Sequence, residues 1–281
     1  MAAYGQARAQ IDERAQILST QDLNDLERIM EPDIQAVIYT PTTLPRWFVD
    51  LRTAVESGAF QIPRTILPNA SRADIDNWLE NYLPNNIVAP EVRSALKQDI
   101  VSLSDRIAGT AKISRFQLRI FTGAPTTDCG FHVDTVPPGA PTCGLLRVYN
   151  GAGTDYVHPD NVVGTSEFYQ YLSRRERLER ERSEARQSGD DEQYERIRAE
   201  VHRLDQERAF LKRACEVRVV PGGSIIAFKH LDVRLHWSNH AKALAWIHSS
   251  PMAGLPRLVV NVTCGSRSLP QGRAAAQPRD G

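Results

Sequence analysis

The sequence predicts an α+β protein in three parts: an N-terminal α/β segment, an antiparallel β core, and a charged helical hairpin inserted into that core. Helical and strand periodicities mix over residues 1–111, whereas short β-like runs between Gly- and Pro-rich turns follow from residue 112. Residues 173–213 then break that texture, with 12 basic and 11 acidic residues in 41 positions. Tyr194, Ile197, Val201, Leu204 and Leu211 recur there at heptad-like spacing, and Ser188-Gly189-Asp190-Asp191 reads as the turn between two helices.

Taken in chain order, Leu23, Leu26 and Ile29 sit at helical spacing within 22–30, behind Thr20 as an N-cap. Residues 34–39 read as a short strand. The amphipathic stretch 44–57 reads as a helix that Gly58 ends, and Pro63 and Pro68 bracket an extended segment. Ser71 caps a helix over 71–82, and residues 90–107 form a longer one stopped near Gly109. Strands are expected at 112–122, 130–136, 145–149 and 154–157, then beyond the hairpin at 217–220, 224–229, 243–248 and 257–263. Residues 112–264 therefore form the core, and the Ser/Pro/Gly/Ala/Arg-rich stretch 265–281 is expected to be a disordered tail. A hairpin with its own helical pattern is expected to be a solvated insertion, removable without unfolding the β core, and it is a candidate surface for a protein partner or homodimer.

Composition narrows the function. With 41% apolar and 24% charged residues, 281 residues can bury a core. Lys+Arg and Asp+Glu are both 34, so the basic excess of a nucleic-acid binder is missing. No apolar run reaches the ~20 residues of a membrane helix, and four scattered cysteines do not make a disulfide scaffold. A cytoplasmic protein with reduced thiols is the expectation, with neither nucleic acid nor membrane as a partner.

The sharpest chemical feature is Phe131-His132-Val133-Asp134. On a strand, residues i and i+2 share a face, so an imidazole and a carboxylate project together. A second histidine would complete a 2-His-1-carboxylate set, which leaves positions open on Fe(II) for a co-substrate and O₂. His230, His236, His240 and His248 are the candidates, and His248 is preferred. It ends the apolar run Ala243-Leu244-Ala245-Trp246-Ile247, and a turn then leads to Arg257 at the head of the next strand. Arg257 can grip the distal carboxylate of a 2-oxo acid with its planar fork; Arg147 and Tyr149, and behind them Arg119, are further co-substrate candidates. His230, His236 and His240 sit in a polar, aromatic loop between two strands, which either is exposed or lines the mouth of the site. Cys129 and Cys143 could instead join His132 in a closed tetrahedral zinc site, or be buried small hydrophobes. Gly151-Ala152-Gly153-Thr154 reads as a tight turn.

His132-x-Asp134, the strand-turn Pro221-Gly222-Gly223-Ser224-Ile225-Ile226-Ala227-Phe228-Lys229, and His248-Ser249-Ser250-Pro251 with Arg257-Leu258 resemble the iron/2-oxoglutarate oxygenase superfamily. The fuller pattern also resembles a bacterial family of unknown function associated with zinc-homeostasis gene clusters. It comprises Cys129-x-Phe131-His132-x-Asp134, Leu145-Leu146-Arg147-Val148-Tyr149-x-Gly151-x-Gly153-Thr154 and His248-x-Ser250-Pro251. The resemblance covers roughly 112–263 without the hairpin, which accounts for much of the long spacing between Asp134 and His248. It implies a double-stranded β-helix (jelly-roll or cupin-like) core. It further implies a mononuclear Fe(II), 2-oxoglutarate-dependent dioxygenase that oxidises a C–H bond of a small-molecule or peptide substrate, with His132, Asp134 and His248 on the metal. The competing expectation is a zinc-binding protein of metal homeostasis without turnover, using Cys129, His132, Asp134 and Cys143 or His248.

Overall fold

In a computed structural model, residues 17–85, 87–124, 130–151, 153–233 and 245–264 are described. The fold is mixed α/β around one large, mostly antiparallel sheet. The strands are β1 (Ile17–Thr20), β2 (Ala36–Tyr39), β3 (Thr65–Ala70), β4 (Phe116–Gly123), β5 (Thr135–Val136), β6 (Cys143–Val148), β7 (Asp155–Tyr156), β8 (Arg218–Val219), β9 (Ile225–Lys229), β10 (Leu231–Asp232), β11 (His248–Ser249) and β12 (Arg257–Cys264). The large sheet runs β1-β2-β9-β6-β12-β4-β3, with only β1 and β2 parallel. A small antiparallel sheet, β11-β7-β8, lies beside a two-stranded parallel pair, β10-β5.

The N-terminal segment supplies a 3₁₀ turn (Leu23–Met30) and helices α1 (Arg46–Glu56), α2 (Arg72–Tyr82) and α3 (Pro90–Ala111). Ser71 and Asp74 form a reciprocal capping box on α2. Asp22, not Thr20, caps the 3₁₀ turn through its side chain. Helix α3 runs through Gly109 and stops only at Lys112, whose left-handed backbone (φ 55°) ends it. Strand β1, which the sequence reading lacked, adds to the edge at β2.

Alternation sorts the residues of the large sheet onto two faces. Leu118 and Ile120 of β4, Leu145 of β6, Ala227 of β9 and Leu258, Val260 and Val262 of β12 pack against Phe48, Leu51, Leu96, Ile100 and Ile107 of the helices. On the other face Leu146, Val148, Ile226, Phe228 and Val259 meet Tyr156 and Trp246 from the small-sheet side. The candidate site lies on this second face.

The hairpin consists of α4 (Thr165–Ser188) and α5 (Asp191–Glu207), joined at Gly189 (φ 73°). It begins eight residues before the expected 173, because Phe168, Tyr171 and Leu172 extend the helix while burying against the core. It ends earlier too, at Arg208 (φ 49°). Its outer face is solvated, as Arg203–Glu207 and Arg198–Glu195 ion pairs show. Its inner face is not free-standing: Tyr171, Leu178, Ile197, Val201, Leu204 and Phe210 share one apolar cluster with Phe131, Val133 and Ile247 of the site strands. The hairpin is thus solvated on one face only and packs into the core on the other. The tail at 265–281, together with Cys129, His236 and His240, falls outside the described residues. Among the described residues no helix is long and apolar enough to cross a membrane.

Candidate metal centre

His132 and His248 face each other as one antiparallel β-bridge. The amide of His132 donates to the carbonyl of His248 at 2.9 Å, and that of His248 to the carbonyl of His132 at 3.0 Å. The chain then enters β5 and β11 respectively. Asp134 sits two residues beyond His132, and the three side chains converge: one ligand atom of each lies within 4.8 Å of the others. His132 Nε2 is 3.5 Å from Asp134 Oδ1, and the imidazole centroids are 4.5 Å apart.

Second contacts orient both rings. His132 Nδ1 is 2.9 Å from the Gly130 carbonyl, and His248 Nδ1 is 3.0 Å from the Trp246 carbonyl. A carbonyl only accepts, so each Nδ1 donates to it and Nε2 is the ring atom left for a metal; metal-ligating histidines are commonly oriented this way. Trp246, fully buried, stacks on His248 with centroids 4.5 Å apart and planes 14° off parallel. Burial lowers His248 to about 3, so it is neutral at physiological pH, as a ligand must be. Burial would raise Asp134, but its bond to His132 and the neighbouring imidazoles outweigh that and hold it well below the usual carboxylate range. Two imidazoles and a carboxylate suit a divalent first-row cation, and His132, Asp134 and His248 can hold one.

A polar cavity of about 240 Å³ opens beside Asp134. Arg119, Asn261, Thr263, Gln117 and His230 line it. The β4/β12 register places Arg119 opposite Asn261, and Arg119 Nη2 lies 4.0 Å from Asp134 Oδ2. Among the described residues Arg119 Nε, Asn261 Oδ1 and both ring nitrogens of His230 are buried without a hydrogen-bond partner. Buried polar atoms are nearly always paired, so a cluster of unpaired ones facing a cavity marks where a polar ligand fits.

His230 is not on an exposed loop. It is buried directly behind β9, and burial lowers it to about 4. Gly144 makes room for it, since a Cβ there would come within 2.7 Å of the ring. Arg257 lies on the same sheet face as Asn261 but four residues away, ~13 Å along the strand. It is buried, its Nη1 donates to the Gly153 carbonyl at 3.2 Å, and it acts on Asp155. The residues lining the cavity include Arg119 and not Arg257.

Two further expectations are corrected. Arg147 and Tyr149 project from the opposite, helix-facing side of the sheet. Arg147 Nη1 and Tyr149 Oη both donate to Asp99 of α3 at 2.7 Å, and Arg147 lies over the Phe48 ring. Burial pushes the Tyr149 hydroxyl far up, so it stays protonated. Cys143 faces the same way and packs with Cys264 across β6 and β12, where burial is shared with the helix core. The parity that carries Leu145 into that core carries these residues away from His132, so Cys143 is not part of a zinc set with it.

Residues 20–259 match the family described as "Protein of unknown function (DUF1826)", and the chain belongs to that family. Among proteins of curated function none matches the sequence. Solved structures similar to this chain at low identity include two dioxygenases and a hydroxylase. A rice dioxygenase for auxin oxidation is 13% identical over 88% of this chain and 81% of that one, with a TM-score of 0.41. The Arabidopsis thaliana dioxygenase for auxin oxidation 1, in complex with 2-oxoglutarate, is 8% identical over 89% and 92%, with a TM-score of 0.40. A Pseudomonas putida prolyl-4-hydroxylase is 9% identical over 86% and 100%, with a TM-score of 0.36.

Proposed function

We propose that this chain is a mononuclear non-haem Fe(II) oxygenase that uses 2-oxoglutarate to oxidise a small-molecule or peptide substrate, on a double-stranded β-helix. The observation that carries the reading is the convergence of His132, Asp134 and His248 beside a cavity with an unpaired guanidinium nitrogen. The β-helix is supported by the way successive strands change sheet: β4 large, the His132 bridge small, β6 large, β7 and β8 small, β9 large, β11 small, β12 large.

His132, His248 and the Asp134 carboxylate would hold an iron ion, which would supply O₂ activation coupled to oxidative decarboxylation of the oxo acid. The protein's own part is placement. Arg119 takes the distal carboxylate through its fork, in preference to Arg257, because Arg119 lines the cavity. His230 orients the bound acid by donating its ring N–H, which has no hydrogen-bond partner among the described residues. Trp246 and Phe228 wall off the side of His248 that faces the sheet and exclude water from it.

Anaerobic protein loaded with Fe(II) and titrated with 2-oxoglutarate tests the reading. A saturable metal-to-ligand charge-transfer band, and O₂-dependent release of succinate, are expected. Stoichiometric zinc with no oxo-acid binding overturns the oxygenase reading in favour of metal storage or sensing, and failure to bind any divalent cation overturns the metal site itself.

A further inference from the structure

The hairpin grips the strand that carries two of the proposed ligands. The grip is polar and buried. Asp205, at 0% exposure on α5, receives the Tyr171 hydroxyl at 2.6 Å, and Arg175 Nε donates to both its oxygens at 3.0 Å. Tyr171 Oη in turn accepts the amide of Phe131 at 3.0 Å, one residue before His132. Tyr171 and Arg175 are one turn apart on α4, and Arg175 also reaches Glu179 at 3.3 Å. The three polar groups close around Gly130: a Cβ on that residue would collide with Arg175 Nε, Tyr171 Oη and Asp205 Oδ1 together. Gly130 is also the residue whose carbonyl orients His132 through Nδ1. The apolar surround holds the assembly in place, with Phe131 fully buried against Phe210 and the Arg208 guanidinium over its ring.

We propose that Arg175, Asp205 and Tyr171 are positioning residues, a buried brace by which the hairpin sets the backbone at Gly130–Phe131 and hence the rotation of the His132 imidazole. A charged pair taken out of water gains little net stability over well-packed apolar groups. What this one supplies is direction, because the tyrosine hydroxyl has a single place where it can accept the Phe131 amide while donating to Asp205. A Phe at 171 keeps the ring packing, strands the Phe131 amide, and leaves the Gly130 carbonyl free to turn. The proposal rests on the metal-site reading above.

Co(II) serves as the probe, because its visible d–d bands report ligand geometry independently of turnover. Purified full-length protein is titrated with Co(II), and Tyr171→Phe and Asp205→Asn are compared with Leu178→Ala. The last removes a buried hairpin side chain that makes none of the brace's hydrogen bonds. The expected result is Co(II) affinity lower by about 10-fold or more in Tyr171→Phe and Asp205→Asn, the usual cost of losing an outer-shell partner, with displaced d–d bands. Leu178→Ala, even with a lower thermal midpoint, keeps the wild-type spectrum. Wild-type affinity and spectrum in a folded Tyr171→Phe overturn the brace while leaving the metal site standing. Equal spectral change in Leu178→Ala also overturns it, since the effect is then general hairpin stability. Absence of Co(II) binding by the wild type overturns the metal-site reading, and the brace with it.

Discussion

The two faces of the large sheet carry the same kinds of residue in opposite states. On the helix side, Arg147 Nη1 and Tyr149 Oη both donate to Asp99 at 2.7 Å, and Arg147 Nε, over the Phe48 ring, is the one atom of this set without a hydrogen-bond partner among the described residues. On the small-sheet side, Arg119, Asn261 and His230 converge on a cavity with buried atoms unpaired. A buried arginine is thus held by a core carboxylate on one face and, on the other, lines a cavity where we propose that a ligand binds. The difference lies in what the charged end meets: a carboxylate at 2.7 Å on the helix side, and on the other side a polar cavity with the nearest carboxylate 4.0 Å away. Evolution tolerates the second state, which costs folding free energy, where a bound molecule supplies what is missing.

The hardest way to break this contrast is at the metal. His248→Ala and Asp134→Ala are each expected to abolish stoichiometric binding of Fe(II) or Co(II), measured by equilibrium dialysis, with the large sheet still folded by circular dichroism. On the helix face, Asp99→Ala leaves Arg147 buried and unpaired. It should lower stability by about 3 kcal/mol, read as a drop in the denaturant midpoint, without changing Co(II) affinity. Across the sheet, Arg119→Lys should do the reverse. The midpoint for 2-oxoglutarate rises by roughly one to two powers of ten as a charge-assisted bond of ~1.5–3 kcal/mol is lost, while thermal stability barely moves. Arg257→Lys, in the same titration, should leave the midpoint where it is; a shift there and none in Arg119→Lys would reassign the anchor. Least of all, Arg203→Ala on the solvated face of the hairpin should change stability by under about 1 kcal/mol, because exposed ion pairs are screened.

The sequence carried much of the local structure because it is written in short-range chemistry. Ser71 with Asp74, Gly58, and the alternation of β12 are signals within one turn or one strand. His132-x-Asp134 is a same-face pair for the same reason, and His248 was reached from its place at the end of an apolar run. What depended on parity across separate strands was not legible. Nothing near Arg147 says that Asp99, on a distant helix, will claim it, and nothing near Arg119 says that the β4/β12 register sets it opposite Asn261. The faint signal for Arg119 was a lone charge in the otherwise apolar alternation of Phe116, Leu118 and Ile120. For Tyr171 and Asp205 the signal was hidden, since a polar residue among so many hairpin charges looks like one more solvated group. Only its place on the buried face sets Asp205 apart.

The β-bridge between His132 and His248 has a consequence for biogenesis. The two halves of the centre are contributed by segments separated by β6 to β10 and the whole hairpin, yet they meet in one rung. Contacts so distant in sequence close late, after the loop entropy between them has been overcome. During synthesis, a chain that has not yet exposed His248 to the cytosol or compartment outside the ribosome holds only the His132–Asp134 half of the set. On the proposed reading, metal capture is therefore a late event in maturation: the ion would not template folding of the early strands, and a chain stalled before β11 would be left without a complete chelate.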